Sequence, residues 1–234
     1  MSEANQLAIN LMARMQEVAH PGRQLPPGLS AFGVGQAEVM QRLATLEART
    51  RRSVWNAVPT VIFDPEDVSY DLDSKSRGRG IDVQTITLPR TPRFNPLLTS
   101  LNPNVRLGPV LFKCIIVDAQ LAVIAGPDTE DGSTTAWIAN SGEFLESTLA
   151  VWHAAYAQSR PALPEGAEPP LTPRQLEVAR AVCLGKTDAA IARQVRTSER
   201  TIARHVAAIL DVTSASSRAE AVLNMLGRGR QSRT

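Results

Sequence analysis

Cysteine, lysine, histidine and aromatic side chains are all scarce in this 234-residue chain. The two cysteines, Cys114 and Cys183, sit in the apolar runs FKCIIV and ARAVCLG, too few and too far apart for a disulfide framework or a thiolate zinc site. Both read as reduced core residues. There are three histidines, His20, His153 and His205, and neither a metal nor a cofactor is expected. No uninterrupted apolar run reaches about 18 residues, and no basic N-terminal segment leads into an apolar one. A soluble cytoplasmic protein is expected, with neither a membrane span nor a secretory signal. Lysine supplies 3 of the 25 basic residues, Lys75, Lys113 and Lys186, an arginine excess that points to a GC-rich genome. Net charge is almost absent too, at +2, but it conceals two unlike parts. From Leu171 onward 11 basic residues face 5 acidic ones, a charge of +6, and the chain before Leu171 carries −4.

What is present is ample apolar material, 43% of residues, enough for one or two packed domains. Residues 5–19 place Ala8, Leu11, Met12, Met15 and Val18 at helical spacing. The stretch from there to Gly35, rich in proline and glycine, reads as irregular. A second helix is expected over 36–57, with a narrow seam of Val39, Leu43, Leu46, Thr50, Val54 and Ala57 suited to packing or to pairing in a homodimer. Residues 1–57 are thus taken as an N-terminal helical segment. From Val58 the period changes to short β-branched runs, 58–63, 81–87, 105–110, 111–118, 120–125 and 134–140, interleaved with helices at 65–77, 95–101 and 143–159. Residues 58–160 therefore read as an α/β domain. Four prolines within 161–170 make a semi-rigid linker.

Residues 171–234 return to helix. Thr172, Pro173 and Gln175 form a capping-box start, and that helix ends at Gly185. Short helices over 188–195 and 198–211, joined by a tight break at Arg196-Thr197, have helix-turn-helix spacing, and a fourth helix begins at Ser217. Ile191 and Val195 face Ile202, Val206 and Ile209, which turns Arg200, Thr201, Arg204 and His205 outward near the start of the second helix. Arginine there can take guanine N7 and O6, while Ser and Thr hydroxyls and helix N-terminal amides take phosphates.

The run LTPRQLEVARAVCLGKTDAAIARQVRTSERTIARHVAAIL resembles the LuxR/FixJ-type DNA-binding domain, matching at Leu171, Thr172, Arg174, Val178, Gly185, Thr187, Ile191, Ala192, Ser198, Thr201, His205, Ile209 and Arg218. The resemblance implies double-stranded DNA as partner and, with the residue chemistry, contacts from Thr187, Ser198, Arg200, Thr201, Arg204, His205 and Arg218. Gln175 replaces the usual Glu, and Ala203 the usual Lys, so Arg204 is expected to take over a contact from the adjacent position. The segment 211–218 also departs from the family's basic ending.

Within 108–126 the chain resembles the H-x-K-x4-D half-motif of the phospholipase D superfamily. Lys113 and Asp118 match, and Leu111 stands where the histidine would. Without an imidazole nothing there attacks phosphorus or protonates a leaving group, so no catalytic residue and no enzyme activity is expected. Degenerate domains of this kind resemble the sensor halves of TrmB-like and actinobacterial regulators, which implies a small-molecule ligand, with Arg106, Lys113, Asp118, Trp137 and Asn140 near it. The fold class expected is α+β multi-domain, an α/β phospholipase D-like domain followed by an all-α four-helix LuxR-type domain. The function expected is that of a homodimeric, sequence-specific, bacterial nucleoid-associated transcriptional regulator whose central domain senses or scaffolds. Two alternatives are a DNA-tethered phosphodiesterase and a protein-interaction module with incidental DNA binding. The acidic pairs of a phosphoacceptor receiver and an acyl-homoserine-lactone pocket are not discernible upstream.

Overall fold

The computed structural model describes residues 2–19, 24–66, 69–129 and 131–229, and it divides into two compact units. The first comprises Met1–Pro59, Val68–Leu88 and Arg106–Arg160; the second comprises Thr60–Asp67, Pro89–Val105 and Pro161–Thr234.

A single mixed sheet organises the first unit. Its strands are β1 (Leu29–Val34), β2 (Ser53–Val58), β3 (Asp82–Thr87), β4 (Arg106–Leu107), β5 (Cys114–Val117), β6 (Leu121–Ala125), β7 (Thr135–Ala139) and β8 (Arg160–Pro161), in the order β1-β7-β6-β5-β2-β3-β4-β8. From β1 to β2 successive neighbours are antiparallel, whereas β2, β3 and β4 run parallel. Residues alternate between faces, as the pleat requires. Cys114, Ile116, Ala122, Ile124, Trp137 and Ala139 share a core with α1 (Glu3–Val18), which contributes Ala4, Ala8, Leu11 and Met15, and with Phe144, Leu145, Val151 and Trp152 of a later helix over Gly142–Ala157. On the opposite face Val123 and Ala136 meet Phe32 and the apolar side of α2 (Gln36–Arg49), namely Val39, Leu43 and Leu46. Beside them Val54, Ile81, Val83 and Ile115 form a smaller cluster near α3 (Ser69–Gly78).

Several sequence expectations change. Residues 1–57 are not a separate helical segment, because α1 and β1 complete the sheet unit. LSAFGV, expected to be irregular, pairs with β7, with a register shift between Ala31 and Gly33. The 36–57 helix stops at Arg49 and the chain becomes β2. Arg79 explains the stop: its guanidinium donates to the carbonyls of Glu47 (2.7 Å) and Ala48 (3.3 Å) and to the Glu47 carboxylate (2.9 Å), occupying the open end of α2. The seam expected for self-association is therefore partly spent on the sheet, and Val54 and Ala57 lie in a strand. The strand expected over 58–63 ends at Val58.

The second unit contains a short α4 (Leu98–Leu101) after a 3-10 turn at Thr91–Arg93, then α6 (Pro173–Cys183), α7 (Asp188–Gln194), α8 (Glu199–Thr213) and α9 (Arg218–Met225), with α5 the Gly142–Ala157 helix of the sheet unit. Its core joins Leu171, Val178, Ala179, Val182, Ile191, Val195, Ile202, Ile209 and Met225 to Phe63 and Leu97. Phe63 and Leu97 come from segments that the sequence assigned to the 58–160 domain. Polar ties accompany them: Leu171 N–H donates to the Ser100 hydroxyl (3.0 Å), and the Asn95 amide donates to the Val61 carbonyl (3.2 Å). The stretch expected to be a linker is ordered at both ends, since Arg160–Pro161 form β8, Ala162 N–H donates to the Val105 carbonyl (2.9 Å), and Leu171 is buried.

Candidate nucleic-acid interface

Local chemistry sets each helix of the C-terminal group. Thr172 accepts from Gln175 N–H (3.3 Å), and the Gln175 side-chain oxygen accepts from Thr172 N–H (2.8 Å), so glutamine closes the capping box as glutamate would. Gly185 ends α6 in the left-handed region at φ 73°, with Lys186 N–H reaching back to the Ala181 carbonyl (3.1 Å). Thr187 caps α7 by accepting from Ala190 N–H (3.3 Å), and Ser198 caps α8 by accepting from Thr201 N–H (3.1 Å).

Between α7 and α8 the chain reverses at Arg196, a non-glycine residue at φ 53°, while Thr197 N–H returns to the Ala192 carbonyl (2.9 Å). Arg174 on α6 fastens this turn by donating to the Val195 carbonyl, and pairs with Glu177 at 2.6 Å. A left-handed arginine is strained by its Cβ. Arg196→Gly is accordingly expected to raise the unfolding free energy by about 0.5–1 kcal/mol in a denaturant titration. The same change should weaken binding to duplex DNA by removing an exposed cation.

Burial fixes which side of α8 is outward. Ile202 and Ile209 are fully buried, Thr201, His205, Val206 and Ala208 are half-buried on the flanks, and Glu199, Arg200, Ala203, Arg204, Ala207 and Asp211 are exposed. Arg200 and Arg204, one turn apart, make no hydrogen bond or ion pair among the described residues. Exposed Arg193 and Arg196 precede them, so within residues 193–204 four arginines accompany a single carboxylate, Glu199. Sequence reasoning missed Arg193 and Arg196, although their position between the apolar Ile191 and Val195 and the cap at Ser198 was a usable signal.

The expected DNA contacts therefore separate. Ser198, Arg200, Thr201 and Arg204 gather at the start of α8, with Ser198 and Thr201 hydroxyls 2.9 Å apart; His205 lies half-buried on the flank; Thr187 is exposed at the start of α7. Arg218 is different. Its guanidinium donates to the Asp188 carboxylate and to the Lys186 carbonyl, so it braces the start of α9 against the start of α7. Its donors are directed into the fold, so Arg218, expected among the DNA contacts, has a structural use as well.

The five residues expected around a ligand do not converge. Lys113 is exposed just before β5 and Asp118 lies just after it, some 16 Å apart at strand rise. Arg106 on β4 and Trp137 on β7 are separated by four intervening strands, about 24 Å across the sheet. Each also has a structural use. Arg106 donates to the Ser159 hydroxyl (2.7 Å) and carbonyl (2.8 Å) and stacks 4.6 Å over Tyr156. Trp137 is buried in the sheet core, and exposed Asn140 pairs its backbone N–H with the Gly28 carbonyl (2.9 Å).

Asp118, in the left-handed region at φ 54°, turns the β5–β6 hairpin together with Ala119. Its carboxylate accepts from the backbone N–H groups of Arg52 (2.7 Å), Ser53 (3.0 Å) and Arg51 (3.1 Å), pinning the start of β2. Partial burial alone would raise its pKa, but these three donors outweigh it and hold the carboxyl below its ordinary 3.8. Because the folded-state value is the lower one, this stabilisation is complete above the ordinary carboxylate value and is lost as pH falls through the depressed one. Asp118→Ala is expected to cost about 1–3 kcal/mol of stability at neutral pH and to remove part of the acid sensitivity below pH 4, read by urea unfolding at several pH values. Both cysteines are free, and burial pushes Cys114 up to about 12 and Cys183 to about 11, so their thiols stay protonated.

The capped α7–turn–α8 pair with an outward arginine face lies within residues 169–225, which match the family described as bacterial regulatory proteins, luxR family. The C-terminal helices are a LuxR-family regulatory domain. In sequence that LuxR-type domain comes after the mixed α/β sheet unit. The chain is also similar to solved structures at low identity. Nuc, a phospholipase D family member from Salmonella typhimurium, is 18% identical with a TM-score of 0.43, covering 57% of this chain and 97% of that one. NucT from Helicobacter pylori is 16% identical with a TM-score of 0.46, covering 57% and 98%. TrmBL2, an archaeal chromatin protein, is 12% identical with a TM-score of 0.44, covering 68% and 62%. No curated protein matches the chain in sequence. Among the described residues no helix is long and apolar enough to cross a membrane.

Proposed function

We propose that this chain is a sequence-specific, DNA-binding transcriptional regulator that reads the major groove with α8 and acts on the bacterial nucleoid. The observation that carries the reading is the pair Arg200 and Arg204, exposed and without partners among the described residues, on the outward face of a helix whose inward face is buried at Ile202 and Ile209. A helix held by its own core and offering unspent guanidinium groups can exchange solvent for guanine edges without breaking any internal bond. The charge of +6 from Leu171 onward adds the sequence-independent attraction to phosphate.

The sheet unit acts as a non-catalytic scaffold. Supporting this are Leu111 in the position where a histidine would serve as nucleophile, and the use of Arg106, Asp118 and Trp137 in internal ties. Phosphodiester hydrolysis by the purified chain that disappears in Lys113→Ala would overturn the non-catalytic reading. As a homodimer the protein would place two copies of α8 about 34 Å apart on a palindromic duplex. Selection of random duplexes by the full chain tests the whole reading: an enriched motif supports it, a palindromic motif supports the dimer, and recovery of unbiased sequence refutes it.

A further inference from the structure

The exposed face of α8 carries two parallel stripes. One is Arg200 and Arg204; beside it runs Ala203 and Ala207, each pair spaced by one turn, with Cβ atoms about 6 Å apart along the stripe. Carboxylates bound the face at both ends, Glu199 at the first helical position and Asp211 near the last turn, both exposed. Each carboxylate disfavours a phosphate lying directly beside it, while the Ser198 cap and the open amides at the start of α8 stay available to one. Between them the exposed arginine and alanine side chains span residues 200–207, about 10 Å of helix at 1.5 Å per residue, the length of roughly three base pairs.

Within that window the side chains have sharply different chemistry. Arginine presents a planar fork of donors that matches the N7 and O6 acceptors of guanine and nothing on cytosine or thymine equally well. Alanine has no donor or acceptor, so a polar base edge set against it is desolvated without compensation, whereas the C5 methyl of thymine gains an apolar contact. The short alanines also leave the backbone of α8 free to approach the groove floor, which a long basic side chain at position 203 would hold away. Glu199, exposed at the margin, adds a further penalty against any register that slides α8 toward a phosphate.

We infer that the half-site selected by this chain is a core of about three base pairs in which guanine lies beside thymine, guanine being taken by Arg200 and Arg204 and the thymine methyl by Ala203 and Ala207. This rests on the function proposed above, and it names the base chemistry that α8 recognises. Ala203 and Ala207 are then specificity-determining residues, although neither bears a polar group.

The test uses the full chain and the motif it enriches from random duplexes. In synthetic copies of that motif each thymine is replaced in turn by uracil, which removes the methyl alone, and each guanine by 7-deazaguanine, which removes N7. Uracil at the thymine beside guanine is expected to weaken binding about fourfold, the effect of one buried methyl group. 7-Deazaguanine at the neighbouring guanine should weaken it tenfold or more. Ala203→Gly should abolish the uracil effect at one position and keep the guanine effect, with its melting curve reporting that the fold is retained. Ala203→Ser, a milder change for the helix, should reduce the same uracil effect. An enriched motif in which no uracil substitution alters affinity, or in which Ala203→Gly leaves every uracil effect in place, overturns the inference while leaving the DNA-binding reading intact. Failure to enrich any motif removes both.

Discussion

Phe63→Ala is expected to lower the stability of the LuxR-type helices by about 3–5 kcal/mol, even though Phe63 lies far upstream of them in the chain. Its ring is fully buried among Leu97, Leu171, Val178, Val182 and the other side chains that hold α6, α7, α8 and α9 together. Deleting it leaves a cavity the size of a phenyl group, which the surrounding helices can fill only by giving up their mutual packing. The two halves of the molecule can be followed separately. Trp55, Trp137 and Trp152 all belong to the sheet unit, so tryptophan fluorescence reports that unit, while far-UV circular dichroism sums the helices of both units. In urea the variant should lose part of its helical signal, and with it its affinity for duplex DNA, before its fluorescence changes. A midpoint unchanged from the parent would mean that Phe63 contributes nothing to the reader's core. The fragment 171–234 should likewise be less stable alone than within the full chain, because it lacks both Phe63 and Leu97.

Arg204→Ala is expected to weaken binding to the enriched motif by about 1–3 kcal/mol, roughly 5–150-fold, with a smaller loss on random duplex. Arg204 makes no hydrogen bond or ion pair among the described residues, so the variant leaves no described partner unsatisfied and the loss is one of DNA contact. A base-reading arginine relaxes preference at one position and changes the slope of log affinity against log salt little. An arginine on phosphate lowers affinity for every sequence and flattens that slope by about one. Arg204 sits on the outward centre of α8 one turn beyond Arg200, which favours the first outcome. Competition titrations at two salt concentrations distinguish the two.

How much of this was legible in the sequence follows from how local each determinant is. The starts of α6, α8 and α9 were readable because Thr172, Ser198 and Ser217 cap them with their own side chains within four residues. The end of α2 was not, since the group that closes it, Arg79, arrives from beyond α3. Residues 50–57 keep a spacing compatible with a helix, so the sequence offered no reason to change period there, whereas the pairing of Trp55 with Gln84 and Ile116 does. β1 was hidden by the prolines and glycines before it and by the register shift near Gly33.

The site shows the same division. Arg200 and Arg204 could be placed outward from the apolar spacing of Ile202 and Ile209 alone. Arg218 could not, because its role depends on Asp188, a residue of another helix brought close only by the fold. The five residues expected around a ligand are dispersed for a related reason. Strand residues near in sequence, such as Lys113 and Asp118, sit at opposite ends of β5, and residues from different strands meet only if the strand order makes them neighbours. The order β7-β6-β5-β2-β3-β4 keeps Trp137 and Arg106 apart.

The claim at the centre of this account is that α8 reads sequence. The most direct measurement is the ratio of affinities of the full chain for its enriched motif and for a scrambled duplex of the same composition, taken at about 0.15 M salt, where non-specific attraction is screened. The account predicts a ratio of about a thousandfold or more for the parent protein, falling steeply when Arg200 and Arg204 are both replaced by alanine. Equal affinities for the two duplexes, or a ratio untouched by that double replacement, would contradict it.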